Sequence, residues 1–410
     1  MKNALARGTA VGLALVLLLP VTASAFRGEN GRIAFTSRRS DDPLDEALDY
    51  EVVSIALDGS DPLILTSDDA SDSGPAWSPD GTRIVFESSR MALANEIWIM
   101  DADGSDETRL TTLAGEDHDP SWSPDGTRIV FQSYSAGTGD IFVMQPDGSG
   151  LRNLTETPRT DEGQPAWSPD GRWILFTTSR GSERELAKMR PSGGGRVRIT
   201  DTRAQDFSPS WSPTGRRIVF RLGIGLESEI VTIRPGGDGL KRLTFDTSYD
   251  DSPVWSPDGR KIVFTSERDG DLDLWVMRPD GSHLTQLIDD ADYDAGPSWQ
   301  PVCSILGTGG DDELTGSPGP DLICGLGGND TIDGFGGADV IFGGDGNDTI
   351  RGGDGDDVVA GQAGDDDVSG QAGNDRVNTE DGVDGNDALD GGRGSDVCIR
   401  DAGETATRCP

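Results

Sequence analysis

The sequence predicts an all-β fold class: a six-bladed β-propeller followed by a C-terminal parallel β-roll. Two periods predict it. Trp77, Trp122, Trp167, Trp211, Trp255 and Trp299 recur every 44 or 45 residues, the length of a four-stranded blade. Near the C-terminus a nine-residue pattern, Gly-Gly-x-Gly-x-Asp-x-U-x with U apolar, recurs ten times. Its aspartates are Asp312, Asp321, Asp330, Asp339, Asp348, Asp357, Asp366 and Asp375 and, after a three-residue insertion at Thr379-Glu380-Asp381, Asp387 and Asp396.

In chain order, residues 1–25 read as a secretory signal peptide. Lys2 and Arg7 carry positive charge, Val11 to Val21 is apolar but too short to span a bilayer, and Ala23-Ser24-Ala25 is a small-residue cleavage site. The mature chain is expected to start near Phe26 and to work outside the cytoplasm, secreted to the medium, cell wall or periplasm. No later apolar run is long enough to cross a membrane.

Residues 26–302 are expected to be the propeller. Five of the six tryptophans open Trp-Ser-Pro-(Asp/Thr)-Gly, a type I turn between antiparallel strands, with Thr214 as the variant. The next strand is apolar on both faces, as in Arg128-Ile129-Val130-Phe131, because a blade is sandwiched between two others. A third strand follows (Glu96-Ile97-Trp98-Ile99-Met100). A fourth ends in Leu-Thr (Leu110-Thr111, Leu154-Thr155, Leu243-Thr244). The chain enters at a second strand, Arg32-Ile33-Ala34-Phe35, and leaves after a lone first strand ending at Trp299. The last segment should therefore complete the blade that the N-terminus began, leaving no free edge.

Residues 303–410 are expected to be the roll. Glycines make the turns, x-U-x makes a three-residue strand, and two units make one turn of the coil. Equivalent residues then stack about 4.8 Å apart. Such stacking piles aspartates on each edge, which like-charge repulsion forbids unless cations lie between them. Calcium, which takes 6–8 oxygen ligands in flexible geometry, suits this best. Up to about eight ions are expected, the insertion costing one or two.

Net charge is −38, which argues against nucleic acid or an anionic membrane surface as partner. From Cys303 onward 24 acidic residues face 5 basic ones, so half of that excess lies in about a quarter of the chain. Four cysteines, Cys303, Cys324, Cys398 and Cys409, flank or sit in the roll. An exported chain with this number suggests two disulfides, and proximity favours Cys303–Cys324 and Cys398–Cys409 among three connectivities.

The nonapeptide units resemble the RTX, or haemolysin-type, calcium-binding repeats over about residues 303–400. The Trp-Ser-Pro-Asp-Gly repeats look like the TolB-type, WD-repeat-like propellers over about 27–301. The first resemblance implies calcium binding. The second implies a binding platform or an accessory domain.

Five residues before each repeat tryptophan stands an acid: Asp72, Asp117, Glu162, Asp206, Asp250 and Asp294. By analogy with WD-repeat propellers these would ring the channel mouth and hold a cation or basic peptide; alternatively each caps its own loop. Arg39, Arg90, Arg180 and Arg268 are expected to pair with them. His118 and His283 adjoin turns and are expected to face solvent. No catalytic arrangement is found. The chain is thus expected to be a non-enzymatic calcium-binding protein whose propeller engages an extracellular or envelope protein, peptide or glycan. The alternatives are a TolB-like envelope factor holding a peptide in the channel, and a carbohydrate-active enzyme using the funnel.

Overall fold

The computed structural model describes residues 31–409 except 39–48, 91–93, 158, 181–182, 203, 225–226, 290–291, 382–386 and 402–403. The signal-peptide assignment lies outside the described residues. Every regular element among them is a strand, and no helix is long and apolar enough to cross a membrane.

Among the described residues the first 24 strands form six four-stranded blades around one axis. The blade that closes the ring pairs Asp294–Trp299 with Ile33–Ser37, so the chain's two ends share one sheet as the repeat phase required. Two neighbouring blades are additionally joined by a parallel bridge between Arg184 and Gln205. The tryptophan-bearing strands are innermost and touch one another in succession around the ring.

Each of these inner strands carries a bulge three residues before its tryptophan, where Gly74, Asp119, Gln164, Ser208, Ser252 or Gly296 takes positive φ. The bulge turns backbone donors toward the preceding blade: Gly74 N–H donates to Thr36 Oγ1 at 3.0 Å and Asp119 N–H to Glu87 Oε1 at 2.8 Å. Trp122 packs among residues of two blades and donates to Ala76 O at 3.2 Å. The repeat tryptophans are therefore blade packing rather than a sugar platform.

The recurrent Leu-Thr has a local cause. Thr66, Thr111, Thr155, Thr200 and Thr244 each accept a backbone N–H from the adjoining third strand, locking the short fourth strand in place. Ring closure also needs Gly59. A Cβ there would fall 1.9 Å from Leu287 O of the neighbouring blade, at φ +82°. Gly59→Ala is expected to lower the propeller's melting temperature, read by tryptophan fluorescence.

The roll consists of two six-stranded parallel sheets in an 18-residue register, Ile323 beside Ile341 and Ile350 beside Val368. The U residues Ile323 to Leu389 make a single buried file between the sheets. Disulfides Cys303–Cys324 and Cys398–Cys409 clip its two ends. Replacing the first pair by serines should cost about 3 kcal/mol of roll stability, since it closes a loop of about 20 residues; chemical denaturation measures this.

The outward residues of the two sheets differ. One sheet shows Glu313, Thr331, Arg351 and Asp367, all exposed, while the other buries Cys324, Phe342, Val358, Ala360, Arg376 and Asn378. The buried sheet lies against the propeller's Trp-Ser-Pro-Asp-Gly turns. Arg376 Nη2 reaches Asp125 Oδ2 at 2.6 Å, Asn378 Nδ2 reaches Thr127 Oγ1 at 3.0 Å, and Arg172 Nη2 donates to Asn374 O and Ser395 O at 3.1 and 3.0 Å. The roll thus covers part of one propeller face and leaves the opposite face open.

Candidate functional site

Stacking two nonapeptides per turn places the repeat aspartates in two columns, one on each edge of the roll. Along the first, the N–H of Asp312 donates to Asp330 Oδ1 (2.8 Å), that of Asp330 to Asp348 (2.8 Å), that of Asp348 to Asp366 (2.9 Å) and that of Asp366 to Asp387 (2.7 Å). The second runs Asp321, Asp339, Asp357, Asp375, Asp396 in the same way. From Asp330 and Asp339 onward, one carboxylate oxygen of each is therefore engaged by the N–H of the neighbouring turn.

The other oxygen divides the set. In Asp330, Asp339, Asp348, Asp357, Asp366, Asp375 and Asp387, Oδ2 is buried and has no hydrogen-bond partner. It hangs over a glycine: a Cβ at Gly343 would stand 2.3 Å from Asp348 Oδ2 and 2.5 Å from Gly361 O. A buried acceptor without a donor is costly. A column of them, beside backbone carbonyls and with room that only glycine leaves, fits a hard oxygen-seeking cation. Asp312 and Asp321 differ, because their Oδ2 atoms accept N–H groups from Thr308 and Ser317 at 2.6 Å each. They cap the start of the roll.

Burial pushes these carboxyls up, that of Asp348 to about 6 and those of Asp339, Asp357, Asp366 and Asp375 to about 7; backbone donors pull the other way and stacked neighbours push further. Asp387 also rises to about 6 by burial, with Glu404 adding to it. Without a cation, the columns resist holding their charge at neutral pH.

The insertion does not interrupt either column. It lengthens one turn to 21 residues while the Asp366–Asp387 and Asp375–Asp396 bonds persist. Its Glu380 pairs with Arg128 of the propeller at 3.1 Å, and its Asp381 stands with Asp401 and Glu404 in a three-carboxylate group. Sequence reasoning missed that group, because Asp401 and Glu404 fall outside the nine-residue pattern.

On the propeller, the six acids before the tryptophans do open the inner strands on one face. All are buried, however, and turned into their own blades. Asp250 accepts from Ser266 Oγ at 2.6 Å and Arg268 Nη2 at 2.9 Å; Asp72 accepts from Arg90 Nη2 at 2.6 Å; Glu162 accepts from Thr160 Oγ1 at 2.8 Å. Desolvation raises Asp117 to about 6 and Asp206 to about 7, the latter although Thr202 Oγ1 donates to it at 3.3 Å. Asp294 is likewise fully buried. Their surface position is thus corrected: the carboxylates are buried within the blades, where those of Asp72, Glu162, Asp206 and Asp250 fasten strand ends, and the mouth is lined by other residues. Arg90 and Arg268 pair with the acids as expected, while Arg39 and the side chain of Arg180 lie outside what the structure describes.

All four tyrosines of the chain stand at this face. Arg38 lies over Tyr50 and Tyr293, 5.1 and 5.6 Å from the ring centres, and Arg221 lies over Phe207 and Tyr249 at 4.2 and 5.1 Å. Arg221 also binds Asp251 Oδ2 at 2.7 Å, and Arg184 covers Phe207 at 5.1 Å. Tyr134 borders a recess of about 370 Å³ formed with Glu87, Glu116, His118, Asp119 and Gln132.

There His118, expected to face solvent, is half-buried. Its Nδ1 meets Glu87 at 2.8 Å and its Nε2 meets Glu116 at 3.4 Å; burial opposes its charge, but these carboxylates raise its pKa to about 9. His283 is exposed, as expected.

A TolB β-propeller domain model matches residues 21–204, 63–243 and 194–307, and an RTX calcium-binding nonapeptide repeat model (4 copies) matches seven overlapping segments within 306–404. No match to a curated protein was found. Among solved structures, TolB from Acinetobacter baumannii is similar with a TM-score of 0.59 at 24% identity, covering 66% of this chain and 66% of that one. Hydrazine synthase from Kuenenia stuttgartiensis follows with 0.57 at 16% identity, covering 67% and 47%. A chain of a nidogen/laminin complex gives 0.53 at 11%, covering 67% and 100%. Such distant likenesses carry the fold alone. Over most of its length this chain belongs to the TolB β-propeller family, and its C-terminal region is built of RTX calcium-binding repeats.

Proposed function

We propose that this is an exported, non-enzymatic calcium-binding protein whose roll folds around calcium and whose propeller presents its uncovered mouth to a partner. Residues 1–25 would be removed on export, leaving the propeller to about 302 and the roll from 303. The observation that carries the reading is the two columns of buried, unpartnered Oδ2 atoms, seven in all. Asp330, Asp339, Asp348, Asp357, Asp366, Asp375 and Asp387 would hold the ions, and bound calcium supplies the positive charge that lets stacked carboxylates ionise. Asp312, Asp321 and Asp396 would close the columns. Two disulfides and the acidic surface support a place outside the cytoplasm.

Asp348→Asn with Asp366→Asn tests the metal role. Equilibrium dialysis should show fewer ions per chain than in the wild type; an equal count refutes the assignment.

For the partner, the tyrosines with Arg38, Arg184 and Arg221 offer stacking surfaces and guanidinium donors, which suit a peptide or glycan bearing carboxylates. Arg221→Ala with Tyr249→Ala is expected to abolish binding on acidic-peptide and glycan arrays that the wild type gives; retained binding removes the mouth from the account. Asp250→Ala should instead act on stability. It strips the acceptor from Ser266 and Arg268 inside one blade and should cost about 1–3 kcal/mol by thermal unfolding.

A further inference from the structure

The six blades provide an internal comparison at an acid near the start of each third strand: Glu51, Glu96, Asp140, Glu185, Glu229 and Asp273, all buried. In four blades that acid accepts the hydroxyl of the threonine fifteen residues on: Thr66 to Glu51 at 2.6 Å, Thr111 to Glu96 at 2.7 Å, Thr155 to Asp140 at 3.0 Å and Thr244 to Glu229 at 2.8 Å. Three acids also meet an arginine thirteen residues on, as Glu96 with Arg109, Glu185 with Arg198 and Glu229 with Arg242.

The Asp273 blade breaks both rules. Ile288 stands where the others have threonine, and Gln286 stands where three have arginine. Asp273 is fully buried, and its Oδ1 has no hydrogen-bond partner. Gln286 Nε2 donates to Asp273 Oδ2 at 2.9 Å and also to Asp269 Oδ2. The same loop, Asp269-Gly270-Asp271-Leu272-Asp273, brings oxygens of Asp269, Asp271 and Asp273 within 4.8 Å of one another. One blade has thus lost the threonine hydroxyl and the arginine, keeps only the Gln286 amide as a donor, and has gained two more carboxylates at the same spot.

We propose that Asp269, Asp271 and Asp273 form a calcium site in the propeller, separate from the roll, in which the ion replaces the threonine hydroxyl and arginine of the sister blades. Three alternate aspartates in one short loop supply hard oxygen ligands. Asp269 is exposed, so water can complete the shell of a 6–8-coordinate ion. What sets Asp273 apart from the other buried propeller acids with a donor-less oxygen is the two further carboxylates of its own loop, and this pairing favours an ion over a solvated acidic loop. The inference does not depend on the roll.

The test uses the full-length protein and calcium alone. Bound calcium per chain is counted by equilibrium dialysis in the wild type, in Asp271→Asn, and in a Gln286→Arg/Ile288→Thr variant that restores the sister-blade pattern. Propeller melting is followed by tryptophan fluorescence with and without calcium. Each variant is expected to bind one ion fewer than the wild type, and the calcium-induced rise in propeller melting should shrink. If the double variant does not fold, the half-buried Asp271→Asn decides alone. Equal counts and equal shifts in wild type and variant overturn this site while leaving the roll's ions intact; an absence of all calcium binding removes both.

Discussion

Transfer from millimolar calcium into excess chelator at pH 8 is expected to melt the roll and leave the propeller folded. The roll has an excess of 19 negative charges, and its stacked carboxylates sit in surroundings that oppose ionisation. All nine tryptophans precede Cys303, so their emission reports the propeller, while hydrogen exchange over 303–410 reports the roll. Rapid exchange in the second with steady emission in the first is the expected pattern.

The effect has a definite pH sign. A carboxyl whose folded pKa is above the ordinary value of about 3.9 stabilises the metal-free fold below that value and loses the contribution as pH climbs through its folded pKa. With Asp348 and Asp387 at about 6 and Asp339, Asp357, Asp366 and Asp375 at about 7, the chelated roll should be more stable at pH 5 than at pH 8. With calcium the order reverses, because the ion competes with protons for the same oxygens.

The second large effect lies between roll and propeller. Asp125 is fully buried and would be pushed up by desolvation, but the Arg376 charge and hydrogen bond, together with the Ser123 and Thr127 hydroxyls, more than offset this and hold its carboxyl well below the usual range. Arg376→Met leaves that carboxylate buried beside only neutral donors and is expected to cost about 3–5 kcal/mol. The loss should fall on docking: hydrogen exchange should rise at 123–128 and 374–380 while the inner strands stay protected. Adding Asp125→Asn should recover much of the loss. A double variant no better than the single one would show that the charge pair is not what joins the two parts.

Periodicity made most of this fold legible, since a residue every 44 positions and a residue every nine each demand a repeating backbone. The closing blade followed from phase alone. Side-chain direction was harder to read. The acid five residues before each tryptophan has the spacing of a ring, yet the inner-strand bulge turns it into the blade, where Ser88, Ser133 and Ser266 stand opposite on the next strand.

The docking face was visible in retrospect. Leu322-Ile323-Cys324, Val340-Ile341-Phe342 and Val358-Val359-Ala360 are apolar outside as well as inside, whereas the intervening units read Thr331-Ile332-Asp333 and Thr349-Ile350-Arg351. A sheet exposed to water does not need the first pattern. The tyrosine and arginine mouth lay hidden because its residues come from loops of different blades, and of the four tyrosines only Tyr249 and Tyr293 keep the repeat spacing.

The most direct measurement is an anomalous difference map from crystals grown with excess calcium. Peaks are expected beside Oδ2 of Asp330, Asp339, Asp348, Asp357, Asp366, Asp375 and Asp387, in two rows along the edges of the roll. A well-ordered roll whose map is flat at those oxygens would contradict the account.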